Sequence, residues 1–252
     1  MKAFRADLHI HSLLSPCGDL AMSPQNIVAA ARQKSLDIIA ITDHNSTRHC
    51  QLINELAAEN GILALFGAEI TSKEEVHCVA LVPDIASLEM LQKYLDNHLV
   101  NIKNDPNKFG YQVVVDRDEN IVYEEQHLLI SALDQSIEEI EKTIHAMGGL
   151  FIPAHVDRSA FSLSSQLGFI PDDLNYDALE ISKYTTPEKF RKAHSYLKDC
   201  TIIQSSDAHF PEHIGERYTV FNMKNASFDE IKLALKTCDG RFVSTFPGLK
   251  KP

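Results

Sequence analysis

The sequence predicts an α/β protein built on a mostly parallel sheet or a (β/α) barrel. Short apolar runs typical of buried strands alternate with amphipathic helical patterns over most of the 252 residues. Six strand-like runs also carry His, Asp or Glu at or just past their ends, where barrels and open α/β sheets gather functional side chains. A chain of this length can bury one barrel-sized core, so we expect a single domain over 1–252.

The first part of the chain alternates strand and helix. Ser23 and Pro24 suit the N-cap and the first position of a helix that follows the first strand. The continuous apolar runs after it are typical of strands that are covered on both faces. We expect strands at 4–11, 37–42, 61–70 and 75–82, and helices at 23–35 and 46–59.

An interruption separates this part from a second series of elements. The rhythm breaks at roughly 95–130, where DRDEN between two β-type runs suits a hairpin turn. We interpret this segment as a small insertion within the domain. Beyond it we expect strands at 150–155, 178–182 and 201–209, and helices at 137–149, 187–198 and 227–238.

Composition narrows the classes of function. The formal net charge of -11 argues against non-specific binding to duplex DNA, which needs Lys and Arg to displace counterions. The five cysteines are dispersed without a CxxC pair, as in proteins of reducing compartments. The sequence has no apolar run typical of a signal peptide or a membrane span. We therefore expect a cytoplasmic protein without a membrane partner.

Two motifs place ligand-type side chains two residues apart. In DLHIH, the strand period of two points His9 and His11 to the same face, where both can reach one ion. Taken alone, this pattern is equally consistent with a solvated strand face. SSDAH, some 200 residues later, repeats the spacing with Asp207 and His209.

Four further motifs add ligand candidates. ITDHN follows a very apolar strand; His44 is its ligand candidate, and Asp43 orients, ligates or caps the next helix. GAEI surrounds Glu69 with apolar residues, which is costly unless the carboxylate is paired or binds a metal. EVHCVAL and IPAH contribute His77 and His155, although a lone strand histidine is more often a satisfied core residue.

These motifs supply imidazoles and carboxylates, the donor set of open catalytic sites for Zn, Mn or Fe. One four-coordinate ion cannot use all of them, whereas two or three ions bridged by a carboxylate can, and Glu69 is the natural bridge. The candidate ligands are His9, His11, His44, Glu69, His77, His155, Asp207 and His209.

The order and spacing of the motifs, from residue 7 to residue 209, resemble those of the PHP (polymerase and histidinol phosphatase) family. The resemblance implies a distorted (β/α)7 TIM-like barrel, up to three divalent metal ions and phosphoesterase activity. It implies a first ion on His9, His11, Glu69 and Asp207, a second on His44, His209 and a residue of the loop after His11, and a third on Glu69, His77 and His155.

The loop ligand is where the sequence departs from the family pattern. The family often has a short SDG or a His there, whereas this chain has SLLSPCGDL. We take Asp19 as the ligand, displaced by a small insertion, and the thiolate of Cys17 as the alternative. Asp19 is otherwise a turn residue beside Gly18, and Cys17 a loop thiol without a role.

Further residues are candidates for proton transfer and for phosphate binding. We expect His209 or Asp43 to act on protons near the leaving group. Arg158 follows His155 on a barrel loop, and its forked donors match phosphate oxygens. Lys183 is the second candidate for phosphate and Arg48, after ITDHN, a third; each cation is otherwise a solvated loop charge.

The sequence thus predicts a hydrolase that cleaves a phosphoric ester, with a small phosphorylated metabolite, a nucleotide or a short oligonucleotide as substrate. One alternative is an amidohydrolase-type enzyme acting on C–N bonds, since that class also opens with an HxH strand. It typically bridges its metals with a modified lysine, however, and Glu69 replaces that residue here. The other alternative is a non-catalytic, metal-stabilised PHP module.

Overall fold

The computed structural model describes residues 1–197 and 200–245 of the chain. We number the strands of this part in chain order. They are β1 (Lys2–Ile10), β2 (Ile38–Ile41), β3 (Leu63–Thr71), β4 (His77–Val82), β5 (Val113–Val115), β6 (Ile121–Glu124), β7 (Leu150–Pro153), β8 (Leu179–Glu180), β9 (Ile202–Ile203), β10 (Thr219–Met223) and β11 (Phe242–Thr245).

Helices of four to fourteen residues flank these strands. They are α1 (Pro24–Gln33), α2 (Cys50–Glu59), α3 (Ile85–His98), α4 (Pro106–Phe109), α5 (Ile137–Ala146), α6 (Leu163–Leu167), α7 (Pro187–Ala193) and α8 (Phe228–Leu235), with a 3-10 turn at Pro211–His213. Within the described ranges, no helix has both the length and the apolar character that a bilayer crossing requires.

Seven strands form one sheet in the order β11-β10-β1-β2-β3-β4-β7. The parallel pair β8-β9 extends its curl, because the backbone N–H of Val156, just past β7, donates to the carbonyl of Glu180 and β9 packs beside β11. The outcome is a curled, incomplete barrel of mixed α/β character. This agrees with the predicted TIM-like fold class.

The strand directions are more mixed than the sequence indicated. In the main sheet only β1-β2 and β2-β3 are parallel, whereas β3-β4, β4-β7, β1-β10 and β10-β11 are antiparallel. Only five residues, 72–76, separate β3 from β4, and a connection this short joins antiparallel strands. The predicted mostly parallel arrangement is therefore wrong for this part of the sheet.

The strand pairing brings the motifs to one edge of the sheet. The carboxyl ends of parallel β1, β2 and β3 meet there, and isolated bridges join Ile10 to Ala208 and His44 to Glu69. β4 runs the other way, so its first residue, His77, pairs with Thr71 at the end of β3. His77 thus reaches the same edge from the start of a strand rather than from its end.

Two clusters of buried apolar side chains hold these layers together. One combines residues of β1 to β4 and β7 with α8, including Leu8, Ile152 and Ile231. The other packs strand residues against α1, α2, α3 and α5. Full burial of one such side chain contributes about 1.5–3 kcal/mol to the free energy of folding. These two clusters therefore support the sheet edge that carries the motifs.

The sequence signals for helix starts were partly right. Ser23 caps α1, since its side chain accepts the N–H of Asn26, as predicted. α2 begins at Cys50 instead of residue 46, and its N-cap is His49, without a side-chain cap bond. The prediction of a helix from 46, and the reading of Asp43 as its cap, are therefore wrong. The carboxylate of Asp43 instead binds residues of the loop after β1.

Several elements were missed, among them the short helices α4 and α6. α3, capped by Asp84, and the strands β10 and β11 carry no motif and interrupt the expected alternation. α3 also includes residues 95–98, so the irregular segment begins only after His98. The hairpin predicted at DRDEN is confirmed by the antiparallel pair β5-β6, while its interpretation as an insertion stays a prediction.

The late elements are shorter than predicted. α7 ends at Ala193, and residue 198, the last of the predicted helix, lies outside the described residues. β9 covers only Ile202–Ile203, so most of the segment 204–209 is loop. This loop lies beside the end of β1, where the N–H of His11 donates to the carbonyl of Ala208.

Candidate metal centre

The carboxylate of Glu69 lies at the centre of five imidazole rings. Its side chain is 1% exposed, so almost no water competes with the neighbouring rings for its two oxygens. Glu69 Oε1 lies 3.2 Å from His9 Nε2, 3.0 Å from His77 Nδ1 and 3.2 Å from His155 Nε2. The other oxygen, Oε2, lies 3.4 Å from His11 Nε2 and 3.0 Å from His44 Nδ1. Five of the six motifs thus meet at one side chain.

The hydrogen bonds behind His9 and His11 fix which ring nitrogens face the centre. His9 Nδ1 lies 3.1 Å and 3.2 Å from the two oxygens of Glu180 and therefore donates to that carboxylate. Ser15 Oγ donates to Asp43, so it accepts from His11 Nδ1 at 3.0 Å. Both Nε2 atoms are then unprotonated in the neutral rings, and they lie 3.2 Å apart.

This arrangement of donors fits a cation. Two bare imidazole nitrogens and the carboxylates of Glu69 and Asp207 converge on one point and repel each other without a positive charge between them. Among the described residues, His44 Nδ1 and His155 Nδ1 are also buried without a hydrogen bond, although His44 Nδ1 lies 3.0 Å from Glu69. Buried polar atoms of this kind call for a partner.

Three sets of ligand atoms lie close enough together to hold ions, each set within 4.8 Å. All three use imidazole nitrogens, and two of them share Glu69. The sets are His9, His11 and Glu69; His44, Glu69 and His77; and His11, Cys17, His44 and His209.

Asp207 and His209 complete the centre from the loop after β9. Asp207 Oδ1 lies 3.6 Å from His9 Nε2 and 3.4 Å from His11 Nε2. His209 Nδ1 lies 2.9 Å from the carbonyl of Asp207 and donates to it, which leaves its Nε2 free. The His209 ring stacks on His11 with centroids 4.3 Å apart.

Electrostatics favours ionised carboxylates and neutral peripheral imidazoles. Burial opposes the charge on Glu69, but His77, His9 and His44 hold its pKa well below the usual range. Burial lowers the pKa of His209 to about 4, and the neighbouring His11 adds to this shift. A neutral ring beside a carboxylate is the form that binds a metal.

Four of the nine non-glycine residues with positive φ in the described ranges belong to or adjoin this group of residues. Asn45, His155, Phe161 and Asp207 all have positive φ angles, of 46°, 31°, 55° and 51°. Non-glycine residues in this region each cost about 1–3 kcal/mol and are typical of functional sites.

The chain matches known families over most of its described length. Residues 7–165 match the PHP domain, and residues 192–237 match a family described as PHP-associated. The first match alone covers more than half of the 252 residues.

This chain belongs to the PHP family.

Known proteins resemble the chain over nearly its whole length. The uncharacterized protein YqxK of Bacillus subtilis is 26% identical over 285 residues, covering 99% of this chain and 66% of YqxK. Endonuclease Q of Pyrococcus furiosus has a similar fold, with a TM-score of 0.71, 21% identity, and coverage of 96% of this chain and 58% of that chain. The chain spans less than two thirds of both proteins.

A second solved structure is similar in length as well. It belongs to a Bifidobacterium adolescentis protein to which metal-dependent phosphoesterase activity is provisionally assigned, with a TM-score of 0.60 and 19% identity. The match covers 92% of this chain and 96% of that one. At this identity the likeness shows the PHP fold and no more.

In the PHP centre, the loop after β1 presents Cys17 rather than Asp19 to the histidines. Cys17 Sγ belongs to the set with His11, His44 and His209, whereas the Asp19 side chain accepts the N–H of Ala21 within its own turn. A Cβ on Gly18 would lie 2.2 Å from the carbonyl oxygen of Ser12, so a glycine is needed to fold the loop this way. The geometry favours the alternative ligand, Cys17.

The structure gives Asp43 a position behind the metal centre. It is 1% exposed; Oδ1 accepts the N–H of Ser12 and the hydroxyl of Ser15, and Oδ2 accepts the hydroxyl of Ser12. Both oxygens are therefore occupied, and Ser15 in turn orients His11. This geometry favours orientation of a ligand over the proton transfer for which Asp43 was also a candidate.

The three predicted cations have different surroundings. Arg158 Nη2 lies 2.8 Å from Asp207 Oδ2, beside the metal centre. Lys183 Nζ pairs with Glu216 at 3.0 Å. Arg48 pairs with Asp96 at 3.0 Å and lies over the ring of Tyr123. Only Arg158, of these three, contacts a predicted ligand.

Sequence reasoning missed two residues that position the ligands. Glu180, 2% exposed at the end of β8, holds His9; its only signal was a charged residue in the apolar run ALEIS. His49, 1% exposed, binds Ser12 Oγ through Nδ1 at 2.7 Å and accepts the N–H of Val115 at Nε2. His49 thus links the β5-β6 hairpin to Ser12 and Asp43. Asp7, at the start of the DLHIH motif, is a buried structural partner, which accepts the N–H groups of Ser206 and Gly215.

Proposed function

We propose that this chain is a metal-dependent hydrolase of phosphoric esters. The observation that carries the proposal is the pair of facing Nε2 atoms on His9 and His11 beside two buried carboxylates. A bound cation relieves the repulsion in this arrangement, and imidazole and carboxylate ligands suit catalytic Zn, Mn or Fe. Membership of the PHP family supports the same activity.

The residues present fit two or three ions. The first ion would be held by His9, His11, Glu69 and Asp207. The second would be held by Cys17, His44 and His209, with His11 nearby. The third would be held by Glu69, His77 and His155. Bound divalent ions in such centres polarise phosphoryl oxygens and lower the pKa of water. Asp19 as loop ligand remains the competing assignment.

The protein's own groups then bind the ester and move protons. Arg158 is partly exposed, and its guanidinium is held beside Asp207, where its remaining donors can bind two phosphate oxygens at once. His209 presents a free Nε2 at the edge of the centre, since its Nδ1 is committed to a carbonyl. The unprotonated Nε2 can therefore bind the second ion or, where it is not bound to an ion, accept a proton from water. With a pKa of about 4, His209 carries no proton for the leaving group near neutral pH. Asp43 orients His11 through Ser15.

A small phosphorylated metabolite, a nucleotide or a short oligonucleotide is the expected substrate. The net charge of -11 disfavours broad contact with a duplex. Lesion-containing DNA is a second candidate, because Endonuclease Q has been solved with a 27-mer duplex carrying an abasic lesion at its active site, and that structure resembles this chain with a TM-score of 0.69.

A phosphate-release panel tests the proposal. The purified protein is supplied with Mn, Zn or Fe(II) and incubated with phosphomonoesters, nucleotides, short oligonucleotides and a duplex containing one abasic site. Released inorganic phosphate measures turnover of the monoesters and nucleotides, and strand length on a denaturing gel measures cleavage of the oligonucleotides and the duplex, because cutting a phosphodiester bond releases no free phosphate. We expect metal-dependent turnover of at least one class, and cleavage confined to the duplex would select the second candidate. Absence of turnover with every metal overturns the proposal, and N-acyl and lactam substrates in parallel test the amidohydrolase alternative. Protein that binds metal and turns over neither class is the non-catalytic module.

A further inference from the structure

A cavity of about 510 Å³ opens beside the metal centre. Arg158 lies on its wall and also contacts Asp207 at 2.8 Å. Arg158, the proposed phosphate-binding residue, therefore borders both the metal centre and the cavity. Its size falls within the range of sites for small organic ligands.

Phe161 forms one aromatic wall of this cavity. One face of its ring stacks on the imidazole of His77, with centroids 4.8 Å apart and planes 17° from parallel. The side chain remains 43% exposed, although its carbonyl is anchored by the N–H of His77. Its φ of 55° is strained for a bulky residue, and strain held in place beside a cavity is a mark of function.

Tyr184 forms a second aromatic wall and is 78% exposed. Its loop is fixed by Asp157, which accepts both the N–H and the hydroxyl of Ser182 at 2.6 Å. The N–H of Tyr184 in turn donates to Ser182 Oγ at 3.2 Å. Asp157 thus ties the loop after β7, which carries Phe161, to the loop after β8, which carries Tyr184.

Two exposed rings on connected loops, next to an arginine, are costly to leave in water and typical of a surface that binds a flat group. Aromatic rings stack on the faces of bases, and the arginine beside them suits the phosphate of the same molecule. A ligand that combines a flat ring with a phosphate fits both halves of the cavity.

We propose that Phe161 and Tyr184 form a subsite for the nucleobase of a nucleotide whose phosphate lies at Arg158. This deepens the proposed function and rests on it for the position of the phosphate. The subsite selects nucleotides over phosphorylated sugars and aliphatic phosphates, because only a base occupies the aromatic walls.

Equilibrium binding tests the subsite without requiring turnover. Adenosine 5′-monophosphate and ribose 5-phosphate, which differ by the base and are each supplied as the non-hydrolysable 5′-phosphonate, are titrated calorimetrically into the metal-loaded full chain. We expect the nucleotide to bind about 5- to 100-fold more tightly, the range for stacking of one base. Tyr184→Ala should remove most of this difference, Tyr184→Phe should keep it, and neither should change the affinity for ribose 5-phosphate.

The matched control is Tyr111→Ala, a change at another exposed tyrosine (63% exposed) that is not among the residues lining this cavity. The proposal is overturned if the two ligands bind equally, or if the difference survives both Tyr184→Ala and Phe161→Ala. Failure of the phosphate-release panel, by contrast, overturns the hydrolase and leaves a measured preference for the nucleotide standing as a binding result.

Discussion

The Nε2 atoms of His9 and His11 face each other at 3.2 Å, while the Nδ1 atom of each ring is bound from behind. Glu180 holds one ring and Ser15 the other, so neither can turn its N–H toward its neighbour. Two lone pairs at this separation, with two carboxylates beside them, are stable only around a positive charge. Although burial opposes the charge, the carboxylates of Glu180, Glu69 and Asp207 hold the pKa of His9 well above its usual range, so a proton supplies this charge until a metal ion replaces it. The hydrogen bonds behind the centre therefore preorganise it for a metal.

Weakening the bond behind His9 should weaken metal binding. Glu180→Gln removes the charge that fixes the His9 tautomer, and loss of such a partner typically costs 10- to 100-fold in metal affinity. Competition with a chromophoric chelator measures this. Glu141→Gln is the matched control, because Glu141 holds His145 at 2.7 Å in a buried carboxylate–imidazole pair outside the centre. Equal affinities in both variants would show that Glu180 does not position a ligand.

Cys17 and Asp19 should differ in their effect on a bound metal. In cobalt-substituted protein, a thiolate ligand produces an intense sulfur-to-metal charge-transfer absorption. We expect Cys17→Ser to abolish this band and to weaken one ion, since Cys17 Sγ lies among His11, His44 and His209. Asp19→Asn should preserve the band. Absence of the band in the wild type, with metal lost from Asp19→Asn, would restore Asp19 as the loop ligand.

Arg158 should contribute to phosphate binding and leave the metals in place. Removing one charged donor from a developing oxyanion typically costs 100- to 1000-fold in rate, so we expect kcat/KM of Arg158→Ala to fall about 100-fold with unchanged metal content. Arg158→Lys should restore only part of the lost kcat/KM, because Lys lacks the forked donors. Arg48→Ala, whose ion pair with Asp96 lies elsewhere, is the control. Unchanged Michaelis parameters in Arg158→Ala would remove it from the phosphate site.

His49 should make the fold sensitive to acid. Burial lowers its pKa in the folded state, against a smaller opposing effect of Asp43, so the folded protein binds its proton less readily than the unfolded chain. The stability contributed by neutral His49 is therefore present above about pH 6.5 and is lost as the pH falls, by up to about 1.4 kcal/mol per pH unit.

Denaturant unfolding of wild type and His49→Gln from pH 8 to pH 5 measures this contribution. The variant should be less stable at pH 8, by about 1–3 kcal/mol, because Val115 and Ser12 lose their partner. The difference should narrow toward pH 5, while His127→Gln, at an exposed histidine, should leave the pH dependence unchanged. A constant difference across the range would contradict a neutral, buried His49.

The sequence could predict which residues converge on Glu69 because their signal is local. The period of two in DLHIH and the charged residues in GAEI and SSDAH mark a strand edge without knowledge of the fold. Glu180 could not be found in this way, since it meets His9 across 171 residues. His49 was invisible for the same reason, as its bond to Val115 joins residues 66 apart.

The fold could be predicted as a class but not in its strand order. Apolar runs mark β2 and β3 from their own residues, whereas the placement of β10 beside β1 depends on contacts across more than 200 residues. α3 was overlooked, although Asp84 caps it and its buried residues Leu88, Leu91 and Leu95 recur at helical spacing. Cys17 was ranked below Asp19 because distances within a loop depend on its turns, here on the close approach of Gly18 to Ser12.

The most direct test of a Glu69-bridged centre is the rate at which chelator-treated protein hydrolyses the best substrate of the panel as Mn, Zn or Fe(II) is added back, with wild type and Glu69→Gln in parallel. Five imidazoles surround the Glu69 carboxylate, so we predict that metal restores turnover in the wild type and not in the variant. Turnover by metal-free protein, or equal restoration in Glu69→Gln, would contradict a multinuclear centre bridged by Glu69.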